Sequence, residues 1–148
     1  AVSKDDPGLM LGYFEQELET QQKYRGEWFM TGDTVSMDTD GYITYHGRND
    51  DMMNAGGYRV SPIEIETVMM TCEGIFQAAA AEIELREGVT VIAGFYVAND
   101  SLNARLEKIC KEALAKYKRP RIFVKMSALP IGANNKIKRK VLRDWKPE

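Results

Sequence analysis

Apolar positions along the chain change period several times, and each change marks an element. From Pro62 onward, Ile65, Val68, Met69 and Cys72 recur three and four positions apart, which is the spacing of one helix face. Ser61 stands at the N-cap position, Pro62 is the first helical residue, Glu64 completes a capping box, and Gly74 can end the helix. Residues 75 to 85 and 89 to 97 are apolar runs separated by Glu87-Gly88, and they read as an antiparallel strand pair despite the four alanines of the first. A second helix is expected from Ser101, with Leu102, Leu106, Ile109, Ala113, Leu114 and Tyr117 as its apolar stripe and Pro120 as its stop. Its other face is basic. Residues 121 to 126 predict a third strand, 129 to 135 a loop, and the end of the chain a short helix.

The first third is patterned differently. Asp6-Pro7-Gly8 is a turn signal, and a short polar, helical stretch follows from Glu15. Residues 28 to 46 read as strands, with a hairpin turn at residues 38 to 41 where Gly41 can take positive φ. This part is too small to bury a core alone and reads as the torn edge of a larger domain. The expected fold class is α+β: a small sheet, made of an antiparallel hairpin plus a third strand, covered by helices and preceded by β-strands from the edge of an N-terminal domain. The expected division is residues 1 to 48, as terminal strands of a β-barrel-like N-terminal subdomain, and residues 49 to 148, as a mobile C-terminal α+β domain.

Charge adds a second asymmetry. Residues 1 to 100 hold 6 Lys+Arg and 18 Asp+Glu, whereas residues 101 to 148 hold 14 and 4, so net charges of −12 and +10 sit on one chain. A basic C-terminal third suits an anionic ligand, although pairing between the halves would also satisfy it. The two cysteines, Cys72 and Cys110, fall at apolar helical positions and read as buried free thiols in a reducing, cytoplasmic compartment. With one histidine, a structural zinc site is not expected. No apolar run is long enough to span a bilayer. Aromatic residues are nearly absent from the basic stretch 124 to 144, which argues against nucleic acid as partner.

Between the two parts lies GRNDDMMNAGGYRVSP, residues 47 to 62, with three glycines, paired acids and two arginines and no helical or strand period until Val60. Upstream, Asp33 ends Thr-Gly-Asp, where a carboxylate at a strand end can either accept from a vicinal diol or cap a turn, and the preceding glycine admits a ligand to the backbone. Arg48 can hold nucleotide oxygens or pair with Asp50 or Asp51. Gly56-Gly57 can form a turn or let a narrow ligand pass the main chain, with Arg59 beside it. In NNKIKRK, residues 134 to 140, a lysine can neutralise charge on a carboxylate or phosphoryl oxygen, or the segment is a solvated basic tail.

These motifs, in this order, carry a resemblance. GLMLGYF, RGEWFMTGD, DTDGYITYHGRNDDMMNAGGYRVSPIEIE and LAKYKRPRIFVKMSALPIGANNKIKRKVLR closely resemble the C-terminal part of the AMP-forming acyl-CoA synthetases. That superfamily also holds luciferases and peptide-synthetase adenylation domains. The resemblance implies that Asp33 holds the ribose hydroxyls of ATP and the acyl-adenylate, and that Arg48 contacts the same nucleotide. It implies that Asp50 is a hinge, that Gly56 and Gly57 line the pantetheine tunnel, and that Arg59 contacts phosphates in one of two domain orientations. Lys136 would be the catalytic lysine of adenylation, with Lys138 the alternative if the register slips by two.

The implied reaction is ATP-dependent activation of a small-molecule carboxylate, with Mg2+ on the phosphates, followed by transfer to CoA, in fatty-acid or related metabolism. The doublet Asp50-Asp51 and SPIEIE resemble CoA ligases more than adenylation domains that load a carrier protein, which are the alternative together with a stand-alone nucleotide- or partner-binding module. Two departures stand out. Asn135 replaces the glycine usual before the lysine, and Asn also tolerates left-handed backbone. Gly56 replaces a small hydroxyl residue. The phosphate loop, adenine pocket and acyl pocket of the family have no counterpart in the chain, so it is expected to be inactive alone. Its strands at residues 28 to 46 would present edges through which two copies could pair.

Overall fold

The computed structural model describes residues 1–146, which fall into two compact units, Ala1–Asp50 and Asp51 onward. In the first unit, β1 (Val2–Ser3), β2 (Tyr24–Arg25) and β3 (Trp28–Phe29) form a small antiparallel sheet in the order β1-β3-β2, and α1 (Glu17–Gln22) precedes β2. A hairpin follows, of β4 (Asp33–Met37) and β5 (Ile43–Arg48). Its turn is closed by Asp38, whose Oδ1 accepts from the amides of Asp40 and Tyr42 at 3.0 and 2.9 Å. Among the large residues of this unit, Leu11, Phe14, Leu18, Met37, Tyr42 and Ile43 remain exposed.

The second unit opens with a hairpin that periodicity did not show: β6 (Met53–Ala55) and β7 (Tyr58–Val60), turned at Gly56-Gly57. Three residues per strand are too few to display an alternation. The hairpin is anchored at its open end by burial of the paired Met53 and Val60, and by the Asn54 amide donating to Glu82 Oε2 at 2.8 Å. Helix α2 (Pro62–Met70) follows. Ser61 is its N-cap, but its side chain makes no capping bond, so the expected reciprocal box lacks its serine half. Glu64 accepts from Lys118 Nζ at 2.6 and 2.8 Å, because the second half of the chain brings a cation over the first turn of the helix.

The central sheet is β8 (Ile75–Arg86), β9 (Val89–Ala98) and β10 (Ile122–Met126), in the order β10-β9-β8, with β8 antiparallel and β10 parallel to β9. Both faces are covered, which explains the continuous alanine run. Ala78, Ala80, Ile92 and Tyr96 pack with Ile65, Met69, Leu106 and Cys110 of α2 and α3 (Asn103–Ala113). Ala79, Ala81, Ile83, Ala93 and Phe95 pack with Leu129 and Leu142, the latter on α4 (Arg139–Arg143). Small side chains on an edge strand let helices approach both faces closely.

Helix α3 is shorter than its stripe. It starts at Asn103 because the buried Tyr96 hydroxyl donates to Asn103 Oδ1 at 2.6 Å and accepts the Leu102 amide at 2.9 Å. It ends at Ala113, where Leu114 turns extended and Arg119 Nε donates to its carbonyl at 2.8 Å. Tyr117 therefore leaves the helix face and lies in a separate 3-10 turn, Lys116–Lys118. Both cysteines are buried and free, and burial pushes the Cys110 thiol up to about 11, so it is a packing residue and not a nucleophile at neutral pH.

Where α2 crosses the sheet, Gly94 leaves no spare room. A Cβ there would lie 2.9 Å from Met69 Sδ, Met69 Cε and Phe123 Cδ1. Gly94→Ala is therefore expected to cost about 1–3 kcal/mol of stability, read from urea unfolding at constant m-value. An unchanged midpoint would mean that Met69 and Phe123 can repack freely.

Candidate functional site

In the first unit, strand register places Asp33 opposite Arg48 at the open end of the β4–β5 hairpin, next to a bulge between Thr34 and Val35. Arg48 Nη1 lies 3.6 Å from Asp33 Oδ1 and donates to the Thr31 carbonyl at 3.1 Å, while Nε donates to Asp50 Oδ1 at 3.3 Å. Asp33, Arg48 and Asp50 thus form one cluster. The cluster also explains Gly32, but differently from the expectation. Its φ is +82°, and a Cβ would lie 2.9 Å from Arg48 Nη2. The glycine admits the arginine, not a ligand. Exposed pairs of this kind add little stability; their effect is to hold a planar cation beside a carboxylate whose side chain stays 35% exposed.

In the second unit, Gly56 and Gly57 have φ of +58° and +87°, so both central residues of the β6–β7 turn are left-handed, as a two-residue hairpin turn requires. Arg59 is exposed on β7, opposite Asn54. Beside the turn is a groove of about 680 Å3 whose lining includes Gly56, Tyr58, Lys116, Tyr117, Arg119 and Arg121. The rings of Tyr58 and Tyr117 stack, with centroids 4.6 Å apart and planes at 28°. Three cations and an exposed aromatic pair thus line one groove. Sequence reasoning passed over Tyr58, Lys116, Tyr117, Arg119 and Arg121. The signal is present in KYKRPR, where a tyrosine interrupts a basic run, but helical spacing claims the run up to Pro120 and the third strand claims Arg121.

Lys136 sits on a closed loop. Ile131 pairs with Ile137, Gly132 donates to the Lys136 carbonyl at 2.8 Å, Asn135 donates to the Gly132 carbonyl at 3.0 Å, and Lys138 donates to the Pro130 carbonyl at 2.8 Å. Asn135 takes the left-handed conformation that the turn needs, at φ +58°. The Lys136 side chain is exposed, whereas the Lys138 stem passes over Gly132.

Behind this loop is a cluster that sequence reading did not single out. Arg139 Nη2 donates to Glu66 Oε1 and Oε2 at 2.6 and 2.8 Å, and its Nη1 lies 3.7 Å from Asp51 Oδ2. Arg143 Nη2 lies 3.5 Å from Asp51 Oδ1. Glu66 also accepts the Ala80 amide at 2.9 Å. Burial first, and then the nearby Asp51 charge, push the Glu66 carboxyl above its usual range against the opposing pull of Arg139 and the Ala80 amide.

Residues 64–136, most of the second unit, match the model of the family described as AMP-binding enzyme C-terminal domain. The relatives are acyl- and aryl-CoA ligases. The chain is 31% identical over 139 residues to 2-succinylbenzoate–CoA ligase of Bacillus subtilis, covering 93% of this chain and 29% of that protein. It is 32% identical over 145 residues to the mitochondrial acyl-coenzyme A synthetase ACSM1 of Mus musculus, covering 93% of this chain and 25% of that protein. The solved o-succinylbenzoate CoA synthetase of Bacillus subtilis, in complex with its acyl-adenylate intermediate, superposes with a TM-score of 0.85 at 31% identity, over 94% of this chain and 29% of that one. The chain thus spans less than a third of the length of these relatives.

The β6–β7 turn gives a direct test of its geometry. Nothing lies within 4 Å of a Cβ built on Gly57, so substitution meets only backbone strain. Gly57→Ala is expected to lower stability by about 1–2 kcal/mol, measured by urea unfolding, and a loss near zero would mean that the turn relaxes to another type.

Proposed function

We propose that this chain is the C-terminal part of a carboxylic acid–CoA ligase that forms an acyl-adenylate and then an acyl thioester. The observation that carries this reading is the groove beside Gly56, with Lys116, Arg119 and Arg121 around the Tyr58–Tyr117 stack. A thiol carried on a nucleotide brings a pyrophosphate, a further phosphate and a purine. A carrier-protein phosphopantetheine brings one phosphodiester and no purine. Three cations beside an aromatic platform fit the first ligand better.

In this reading Lys136 acts in the first step. A carboxylate oxygen bonds to the α-phosphorus of ATP, the bond to pyrophosphate breaks, and the ammonium neutralises charge on the carboxylate and the α-phosphate. Magnesium enters with the ATP. Asp33 accepts the ribose hydroxyls and Arg48 contacts the same nucleotide. Asp50, at the end of the first unit, is the hinge that absorbs backbone rotation between the two steps. In the second step the CoA sulfur bonds to the acyl carbon, the carbon–oxygen bond to AMP breaks, and the thiol proton leaves to solvent. Gly56 and Gly57 admit the pantetheine arm past the main chain, and Arg59 meets phosphate in one of the two orientations. The cytoplasm is the compartment this reading favours, and fatty and aryl acids are the substrate classes it favours.

The test is carboxylate-dependent exchange of labelled pyrophosphate into ATP by the enzyme that carries this chain, across acetate, medium-chain and aromatic acids, then thioester formation with CoA. No exchange with any acid overturns the reading. Lys136→Ala should cut exchange about 100- to 1000-fold and leave thioester formation from supplied acyl-adenylate within about twofold. Equal loss of both steps would remove Lys136 from its role.

Arg119→Gln tests the groove. It should raise KM for CoA about 10- to 100-fold, the effect of one lost charge-assisted hydrogen bond, and leave pyrophosphate exchange intact. An unchanged KM would place CoA elsewhere.

A further inference from the structure

The Lys136 loop is closed on itself by short backbone bonds, but those bonds do not fix where the loop sits on the domain. Two features behind it do. Ile137 packs, half-buried, into the core layer that holds Phe95 and Leu142. Arg139, the first residue of α4, reaches across to Glu66 on α2 and to Asp51 at the start of the unit. The Arg139 side chain is only 12% exposed and that of Glu66 only 15%, so this is an interior clamp and not a surface pair. Arg139 is three residues from Lys136. Asp51 is the residue after Asp50.

We infer that Arg139 is a positioning residue, which through Glu66 and Asp51 locks the base of the Lys136 loop to the first residue of the second unit, so that the lysine and the chain leaving Asp50 move as one rigid body. This rests on the adenylation role proposed above for Lys136. The physical case is one of precision. A lysine has four rotatable side-chain bonds, and each degree of freedom added at its backbone multiplies the volume its ammonium explores. A misplacement of about 1 Å in a charge-stabilising group is enough to slow chemistry strongly. A planar guanidinium with Nη2 on both oxygens of Glu66 and Nη1 facing Asp51 is held through two nitrogens of one rigid plane by two carboxylates, and this resists rotation as well as translation, which a single ammonium does not. Asp51 further holds Arg143, so both ends of the five-residue α4 are tied to the same carboxylate. Any rotation of the chain at Asp50 then reaches Lys136 with no slack.

Two measurements test this, one of which does not depend on activity. On this chain, hydrogen exchange is followed at the amides of Gly132 and Lys138, which close the loop, and across β9. Arg139→Gln should weaken protection of the two loop amides about tenfold or more and leave β9 amides unchanged. In the enzyme that carries this chain, the same substitution should lower kcat of pyrophosphate exchange about tenfold or more, with KM for ATP and thioester formation from supplied acyl-adenylate within about twofold. Arg139→Lys, which keeps the charge but has one nitrogen to share between Glu66 and Asp51, should recover only part of that kcat. Where Arg139→Gln also unprotects β9, Asp51→Asn takes its place, since it leaves the Glu66–Arg139 bonds intact, and the same pattern is expected at smaller size. Unchanged loop protection overturns the inference, as does equal loss of both half-reactions with β9 intact. An enzyme with no exchange at all in its unaltered form would instead overturn the adenylation reading, and the loop amides would still report the clamp.

Discussion

The second unit is organised around one buried carboxylate. Glu66 projects from α2 onto β8, the edge strand of the central sheet, and takes the outward amide of Ala80. An edge amide left bare would cost its desolvation or recruit another strand. Covering it with a carboxylate brings an anion into a poorly solvated place, and that anion requires a cation. Arg139 supplies it from α4, on the far side of the sheet from α2. One side chain thus joins the helix of one layer, the edge of the sheet and the helix of the other layer. The alanines at 78 to 81 belong to the same constraint, since bulkier side chains on the edge strand would hold α2 and α4 too far apart for the bond.

Function is built on the rigid part in two ways. The groove beside Gly56 uses residues at the ends of elements: the β6–β7 turn, the 3-10 turn after α3 and the start of β10. Its cations lie at the positions where helix and strand hand over, and Arg119 is aimed by its bond to the Leu114 carbonyl. The Lys136 loop is a projection from the sheet, closed by its own backbone. In the first unit, the Asp33–Arg48–Asp50 cluster depends on strand register alone. Charged groups are therefore placed by three different devices, a register, a handover and a closed loop, and none of them needs the side chain itself to contribute stability.

What the sequence made legible follows from period length. Helix α2 and strands β8, β9 and β10 are long enough, or bounded clearly enough by Gly and Pro, for their patterns to stand out, and they appear where expected. The β6–β7 hairpin did not, because three residues per strand show no alternation. The end of α3 was misplaced because Leu114 and Tyr117 continue the helical spacing numerically, whereas a carbonyl taken by Arg119 and a tyrosine stacked on Tyr58 end it physically. The serine half of the capping box at Ser61 is missing, and Glu64 is drawn to Lys118, 54 positions away. Gly32 was read as an opening for a ligand, but Arg48 fills the space. Candidate residues were legible as a motif series, and the contacts that hold them were not, since Arg139 and Glu66 lie 73 positions apart.

The surroundings of Glu66 bear on why the clamp exists. Burial, joined by the negative charge of Asp51, holds its pKa above the usual range against the pull of Arg139 and the Ala80 amide, so the ionised carboxylate sits in a place that does not favour it. A pair of this kind is often no better for stability than apolar residues of the same volume, yet breaking it by removing one partner costs about 3–5 kcal/mol. Stability alone therefore gives little reason for Arg139 and Glu66 to be charged. Geometry does. An apolar contact tolerates sliding over a flat energy surface, whereas a guanidinium plane held between two carboxylates has one register and one orientation. In the reading proposed above, in which the loop delivers an ammonium to a reacting phosphate, the contact of Arg139 with Glu66 and Asp51 is of this second kind.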